Sequence, residues 1–242
     1  MMRLLGDGRQ AAVYDRHVGP FVFDLRPDTV DYDAVHETWV EDVYRLGELP
    51  LEAEQCEGQL RPQRPYVVDI GAHIGAVAIW CALRGADVHC YEASKKNREI
   101  LARHAERARV DIHIWHEVVL ANTNVTIHDI PGTGMSGVSP VYGDDFAVGL
   151  SAAIERCFDS GVSDSRQITL LKIDVEGSEW DIFQDVVADS PDALAAVKHI
   201  AVETHPTDPG TYGGTLALLS RTHHVDAFGP YENGGMIHAT RY

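Results

Sequence analysis

The chain is poor in positive charge. Against 37 Asp and Glu it sets only 20 Lys and Arg, a formal net charge of −17 over 242 residues. Such a balance repels a phosphate backbone or an anionic membrane surface unless a local basic stripe intervenes. The one candidate stripe, Lys95, Lys96, Arg98, Arg103, Arg107 and Arg109, has the spacing of a single solvated helix face. Neither a nucleic acid nor a membrane is therefore expected as a partner. Cysteine is scarce too. The four (Cys56, Cys81, Cys90, Cys157) show no C-x-x-C spacing. Cys81 and Cys90 fall in apolar segments, where a thiol serves as a small buried hydrophobe. No apolar run approaches the roughly 20 residues that span a bilayer. The opening MMRLLGDGRQ turns polar too early for a secretory apolar core. A cytoplasmic location is expected. Internal repeats and low-complexity segments are also lacking.

What is present suits one α/β domain: 45% of the residues are hydrophobic, in alternating strand-like and helix-like runs. AAVYD and PFVFD near the start read as extended segments joined by a turn near Gly19-Pro20. Val35, Trp39, Val43 and Leu46 then recur at helical spacing, predicting one helix that ends at Gly47, and 48–65 reads as a connecting loop. The core begins at Tyr66. Buried strands are predicted at VVDI, DVHCYE, 111–115, ITLLKID and VKHIAVET, with helices between them and Ser94 as an N-cap. HVDAFGPY and GMIHATRY read as an antiparallel closing pair, and His223-His224 as surface. NVTIHDI reads as a hairpin strand, and Pro131 to Asp145, with its glycines, as a mobile lid. Residues 1–58 are expected to form a strand and helix extension packing on a core domain of 59–242.

The most telling stretch is YVVDIGAHIGAVAIWCALRGADVHCYEA, 66–93. It is a strand, a glycine turn, a helix and a second strand ending on Glu92, whose carboxylate can accept two hydrogen bonds from ribose hydroxyls. The turn lacks the full G-x-G-x-x-G of dinucleotide binders, which tilts the cofactor from NAD to S-adenosyl-L-methionine, a ligand with no pyrophosphate to cradle. Ligands of open parallel sheets sit beyond the C-terminal strand ends. That rule selects Asp69 to Gly75, Glu92, Asp174 to Gly177 and Glu203 to His205.

Those residues resemble the FkbM-type family of S-adenosylmethionine-dependent methyltransferases. VVDIGAHIG (67–75), YEAS (91–94), LLKIDVEGSEWDIF (170–183) and AVETH (201–205) carry the likeness, with D-Y-D-A-V (31–35) leading to Tyr44 upstream. Two positions depart: the family often has asparagine where His73 stands and proline where Ala93 stands. The resemblance implies an α/β, Rossmann-like class I methyltransferase fold, a seven-stranded mostly parallel sheet with an antiparallel C-terminal hairpin and an added N-terminal helical element. It implies that Asp69, Gly71, His73 and Gly75 line the methionine and ribose end of the cofactor, with Glu92 on the ribose. Ala93 and Glu117 to Val119 are the candidates beside adenine, and Asp174 is shared between cofactor and chemistry.

Methyl transfer from a sulfonium asks mainly for in-line positioning and, for a hydroxyl acceptor, removal of one proton. Asp174, Glu176, Glu203 and His205 are the groups available. In the preferred mechanism His205 or Asp174 is a general base. In the other, Asp174 and Glu203, with His205 or another oxygen, hold Mg²⁺. The expected acceptor is a small molecule carrying a hydroxyl, such as a sugar or natural product. An amine, amide or guanidine acceptor is the alternative, and homo-oligomerisation is left open.

Overall fold

The computed structural model describes residues 1–51, 64–120, 126–129, 136–139, 147–159, 167–189, 193–229 and 232–242. An antiparallel sheet of β1 (Met2–Leu5), β2 (Gln10–Asp15) and β3 (Gly19–Asp24) opens the chain. Then come α1 (Asp31–His36), a π-helical turn at Glu37–Glu41 and a 3-10 turn at Leu46–Glu48. The core runs β4 (Tyr66–Ile70), α2 (Ala76–Ala82), β5 (Asp87–Tyr91), α3 (Lys95–Ala108), β6 (Ile112–Trp115) and β7 (Val118–Val119). It continues through β8 (Thr126–Asp129), β9 (Ser136–Ser139), β10 (Ala147–Val148), α4 (Leu150–Asp159), β11 (Ile168–Ile173) and α5 (Glu179–Asp189). β12 (Val197–Thr204), α6 (Pro209–Leu219), β13 (His223–Phe228) and β14 (Gly235–Arg241) complete it.

The main sheet has seven strands in the order β13-β14-β12-β11-β4-β5-β6. Strands β12, β11, β4, β5 and β6 run parallel, and β14 joins antiparallel to both β12 and β13. This is the Rossmann-like sheet with its antiparallel C-terminal hairpin, as the sequence led one to expect. Strands β4 and β11 are buried at every residue, as strands covered on both faces must be. The period of two sends Val68 and Ile70 to one face, with Leu171, Phe183 and Leu218, and Val67 to the other, with Val77, Trp80 and Leu101. The N-terminal sheet adds a third cluster by packing Phe21 and Phe23 against Ile74, Ile79 and Ile100. Cys81, Cys90 and Cys157 are buried free thiols.

Several local expectations need correction. The long helix ending at Gly47 is instead a short helix and a π-turn, broken where Asp42 turns left-handed (φ 53). Its carboxylate accepts the Leu46 and Gly47 amides, so a helix stop forms where the apolar spacing alone would continue the helix. β1 was not foreseen, and the turn of the β2–β3 hairpin lies at 16–18, ahead of Gly19. The stretch read as a lid contributes β9, the partner of β8; its remainder lies outside the described residues, as do Cys56 and most of the 48–65 loop. α6 starts four residues earlier than GGTLALLSRT suggests, because Asp208 caps it by accepting the Gly210 and Thr211 amides. His223 is buried, with Nε2 3.0 Å from the Val197 carbonyl, whereas His224 is exposed. Members of the basic stripe are engaged within the fold: Arg98 donates to the Glu92 carbonyl, Arg107 pairs with Asp24 and Lys95 lies 3.9 Å from Glu99. Among the described residues, no helix is long and apolar enough to cross a membrane.

Candidate active site

The C-terminal ends of β4, β5, β11 and β12 open on a cavity of about 400 Å³. Its lining includes Gly71, His73, Glu92 and Ala93 from beyond β4 and β5, and Tyr44, Asp174, Glu176 and Glu203. Val30, Asp33, Ala34 and Glu37 of the N-terminal segment line it too as a roof, and burial with the nearby acids Asp33 and Asp174 raises the Glu37 carboxyl. Glu117, Val118 and Val119 lie on its wall as well.

The turn after β4 is fixed by its own packing. Gly71 has φ 75, and a Cβ there would lie 1.7 Å from the Asp174 carbonyl oxygen. Gly75 (φ 90) would drive one to 2.2 Å from Leu101 Cδ1. Both glycines therefore let protein approach protein, and Gly75 does not line the cavity. The amides of Gly71 and Ala72 donate to the Tyr91 carbonyl, which ties the turn to the end of β5. Glu92 is the hub. Its Oε2 accepts the His73 amide at 2.7 Å, and its Oε1 accepts the Ser94 amide at 2.8 Å and Asn97 Nδ2 at 3.2 Å. Ser94 caps α3 as expected, accepting from the Asn97 amide. At 6% exposure Glu92 still faces the cavity, with acceptor capacity left on its oxygens.

Asp69 stands behind this wall, fully buried, and does not line the cavity. Its neighbour is Lys172, a lysine inside the all-buried strand β11. Lys172 Nζ lies 2.7 Å from the Gly71 carbonyl oxygen, 3.3 Å from Asp69 Oδ1 and 3.5 Å from Asp174 Oδ2. Burial works against this ammonium, but the Asp69 and Asp174 carboxylates outweigh it and hold it protonated above its ordinary range. One cation thus joins the glycine turn of β4 to the acid at the end of β11.

Tyr44 closes the cluster. The π-turn and the left-handed Asp42 and Arg45 carry it under the roof, with its hydroxyl 3.1 Å from Asp174 Oδ2 and 3.0 Å from Glu203 Oε2. A phenol has one hydrogen to donate. Both contacts are hydrogen bonds only when one carboxyl is itself protonated, and Glu203 is suited to hold that proton: burial and the nearby Asp174 charge push it up to about 7. Burial beside the same two acids pushes the Tyr44 phenol well up as well.

His205 sits apart from this chain of contacts. Its Nε2 is 3.1 Å from Glu176 Oε2, its Nδ1 is 3.2 Å from Glu179 Oε1, and its amide also donates to Glu179. Those two carboxylates raise it to about 10. At neutral pH both ring nitrogens carry hydrogens, leaving no lone pair to take another. Glu176, in a left-handed turn (φ 56), serves this pairing from an exposed position. Asp174, Glu203 and His205 do offer one atom each within 4.8 Å of one another, the only such cluster among the described residues. The donor set nevertheless fits a divalent ion poorly, because the Tyr44 oxygen already lies against both carboxylates and the His205 nitrogens are turned to other acids.

No protein-family model and no curated protein matches the chain. Solved structures do. The magnesium protoporphyrin IX methyltransferase of Synechocystis PCC 6803 with bound S-adenosylmethionine aligns over 90% of this chain and 86% of its own, at 11% identity and a TM-score of 0.47. The tRNA (uracil-54, C5)-methyltransferase of Pyrococcus abyssi covers 96% of this chain, which spans 44% of that protein, at 14% identity and a TM-score of 0.46. An rRNA methylase of Streptococcus thermophilus covers 89% of this chain and 96% of its own, at 10% identity and a TM-score of 0.44. The likeness is one of chain course. At such identities the chemistry has to come from this chain's own side chains.

Glu92, Asp174 and Glu203, at three of the strand ends singled out from the sequence, do line this cavity, and Tyr44 and Lys172, which were not singled out as site residues, line it with them. Lys172 had a signal available: a lysine within an otherwise apolar run, one residue from a strand-end acid, needs a buried counter-charge.

Proposed function

We propose that this chain is an S-adenosylmethionine-dependent methyltransferase of the FkbM type that methylates a hydroxyl of a small natural-product or sugar substrate. The observation that carries the reading is that one cavity brings Gly71, His73 and Glu92, at the ends of β4 and β5, together with the Tyr44–Asp174–Glu203 cluster. Glu92 suits a ribose, and an anionic lining suits a ligand bearing a sulfonium and an ammonium. Bound S-adenosylmethionine supplies an activated methyl group. The chain then has to hold the acceptor in line and take one proton.

Glu203 fits the second task better than His205. Held near neutrality, it is ionised in a useful fraction of molecules at working pH, and a base is most effective when poised there. Tyr44 orients it, and Asp174, anchored by Lys172, supplies the neighbouring charge that keeps its proton affinity high. His205 becomes a positioning group that binds the turn after β11 to the end of β12. No step is assigned to Mg²⁺.

A nitrogen acceptor is the second reading, and one observation favours it. Among the described residues lining the cavity Lys172 is the one Lys or Arg, and it is engaged by acids, while Asp33, Glu37, Glu176 and Glu203 line it as well. That lining suits a protonated amine and disfavours phosphorylated acceptors, nucleic acids among them. Incubation with a methyl-labelled cofactor and a panel of sugars, polyketides and amines, read by mass spectrometry, tests the proposal. A gain of one labelled methyl on oxygen supports it, a gain on nitrogen selects the second reading, and no transfer to any member with cofactor bound contradicts both.

A further inference from the structure

His73 is the odd residue of the glycine turn that lines the cavity. It is a non-glycine residue at φ 51, a conformation that histidine tolerates better than most but that needs support from its surroundings. Its amide is held by Glu92 at 2.7 Å. Its imidazole reaches the N-terminal segment, where Nε2 lies 3.1 Å from Asp31 Oδ1. Asp31 is wholly buried, and Arg26 surrounds it: Nη2 donates to Oδ1 at 2.6 Å, while the Arg26 amide and Nε donate to Oδ2 at 2.8 and 2.9 Å. His73 Nε2 and Arg26 Nη2 are 3.2 Å apart because both point at the same carboxylate oxygen. The Nε2–H tautomer satisfies this geometry. Despite burial, the two partners hold the Asp31 carboxyl far below the usual range, so it is charged.

Asp31 is also the first residue of α1, and the following turn carries Asp33, Ala34 and Glu37 into the cavity wall. One continuous set of bonds therefore runs from Glu92 through the His73 backbone and ring to Asp31, and from there along the chain to the roof residues Asp33, Ala34 and Glu37. We propose that Asp31 and Arg26 are positioning residues that latch this roof to the cofactor turn through His73, so that a ligand held at the turn orders the roof, and one held under the roof orders the turn. The coupling is reciprocal by thermodynamic necessity, and its sign is positive, because a turn already fixed by ligand spares the roof part of its ordering cost. The part concerning the cofactor rests on the methyltransferase reading.

Amide hydrogen exchange tests the latch without any ligand. Asp31→Asn should speed exchange at 71–76, and His73→Asn should speed exchange at 26–41, each by about tenfold, the worth of one charge-assisted hydrogen bond. His73 is partly exposed, and asparagine tolerates its backbone conformation, so the second variant decides the matter even if Asp31→Asn fails to fold. Exchange confined to the mutated side in His73→Asn overturns the latch. With S-adenosylhomocysteine added, the wild type should slow exchange at 26–41 severalfold, and the variants should lose that response. Calorimetric binding without any slowing at 26–41 overturns the coupling, whereas absence of binding to the wild type overturns the methyltransferase reading and leaves the ligand-free result to judge the latch.

Discussion

Replacing Lys172 with methionine removes the one cation that the core holds between Asp69 and Asp174 while nearly conserving volume. The wild-type ammonium has four oxygens around it: the Gly71 and Ile70 carbonyls at 2.7 and 3.5 Å, Asp69 at 3.3 Å and Asp174 at 3.5 Å. Asp174 is partly exposed and can turn to water, but Asp69 cannot. Breaking a buried pair by removing one partner costs about 3–5 kcal/mol, because the other charge stays behind uncompensated. Urea unfolding of Lys172→Met should show a loss of that size at pH 7, seen as a fall in midpoint with the slope unchanged. The double variant Lys172→Met/Asp69→Asn should recover most of it, since no fully buried ion then remains and Asp174 can turn to water. The deficit should also shrink on acidification. Burial already raises Asp69 above its ordinary value, and more so without the lysine; a carboxyl raised in the fold favours the folded state while protonated and loses that contribution as pH rises through its folded pKa. A single-variant loss below about 1 kcal/mol, or a double variant no more stable than the single, would refute the argument that this ion pair is a mutually dependent unit.

The remaining expectations concern the site. The rate should rise as pH increases through about 7, where Glu203 gives up its proton, and Glu203→Gln should lower kcat by about 10²–10⁴ with cofactor affinity little changed. Tyr44→Phe, which removes a hydrogen bond that favours the Glu203 carboxylate, should move that limb upward in a pH–rate profile. Turnover after EDTA treatment should equal that of untreated enzyme; a metal-restored loss would return Asp174 and Glu203 to the role of ligands. Gly71→Ala sets a methyl 1.7 Å from a backbone oxygen that has no freedom to move aside, so it should abolish cofactor binding and lower Tm, read by calorimetry and thermal unfolding.

What could be read ahead of the structure follows from which forces are local. Strands β4 and β11 announce themselves as apolar runs interrupted only by Asp69 and by Thr169 and Lys172, Ser94 as a cap, and the acids Glu92, Asp174 and Glu203 as the ends of strands. All are properties of a few adjacent residues. The parts that escaped depend on partners far away in sequence. Tyr44 meets Asp174 and Glu203 only because a π-turn and two left-handed residues interrupt a helix whose apolar spacing is otherwise good. His205 looked like a base because its two carboxylates, Glu176 and Glu179, appear in sequence as loop and helix residues rather than as its neighbours. His73 looked like a departure without a cause until the N-terminal segment brought Asp31 against it.

Isothermal calorimetry with S-adenosylhomocysteine and with NAD⁺ tests the central claim most directly. The account predicts micromolar binding of S-adenosylhomocysteine, weakened by about 1–3 kcal/mol in Glu92→Ala through the loss of the ribose acceptor, and no binding of NAD⁺. Tight NAD⁺ binding, or no heat from S-adenosylhomocysteine with folded wild-type protein, would contradict it.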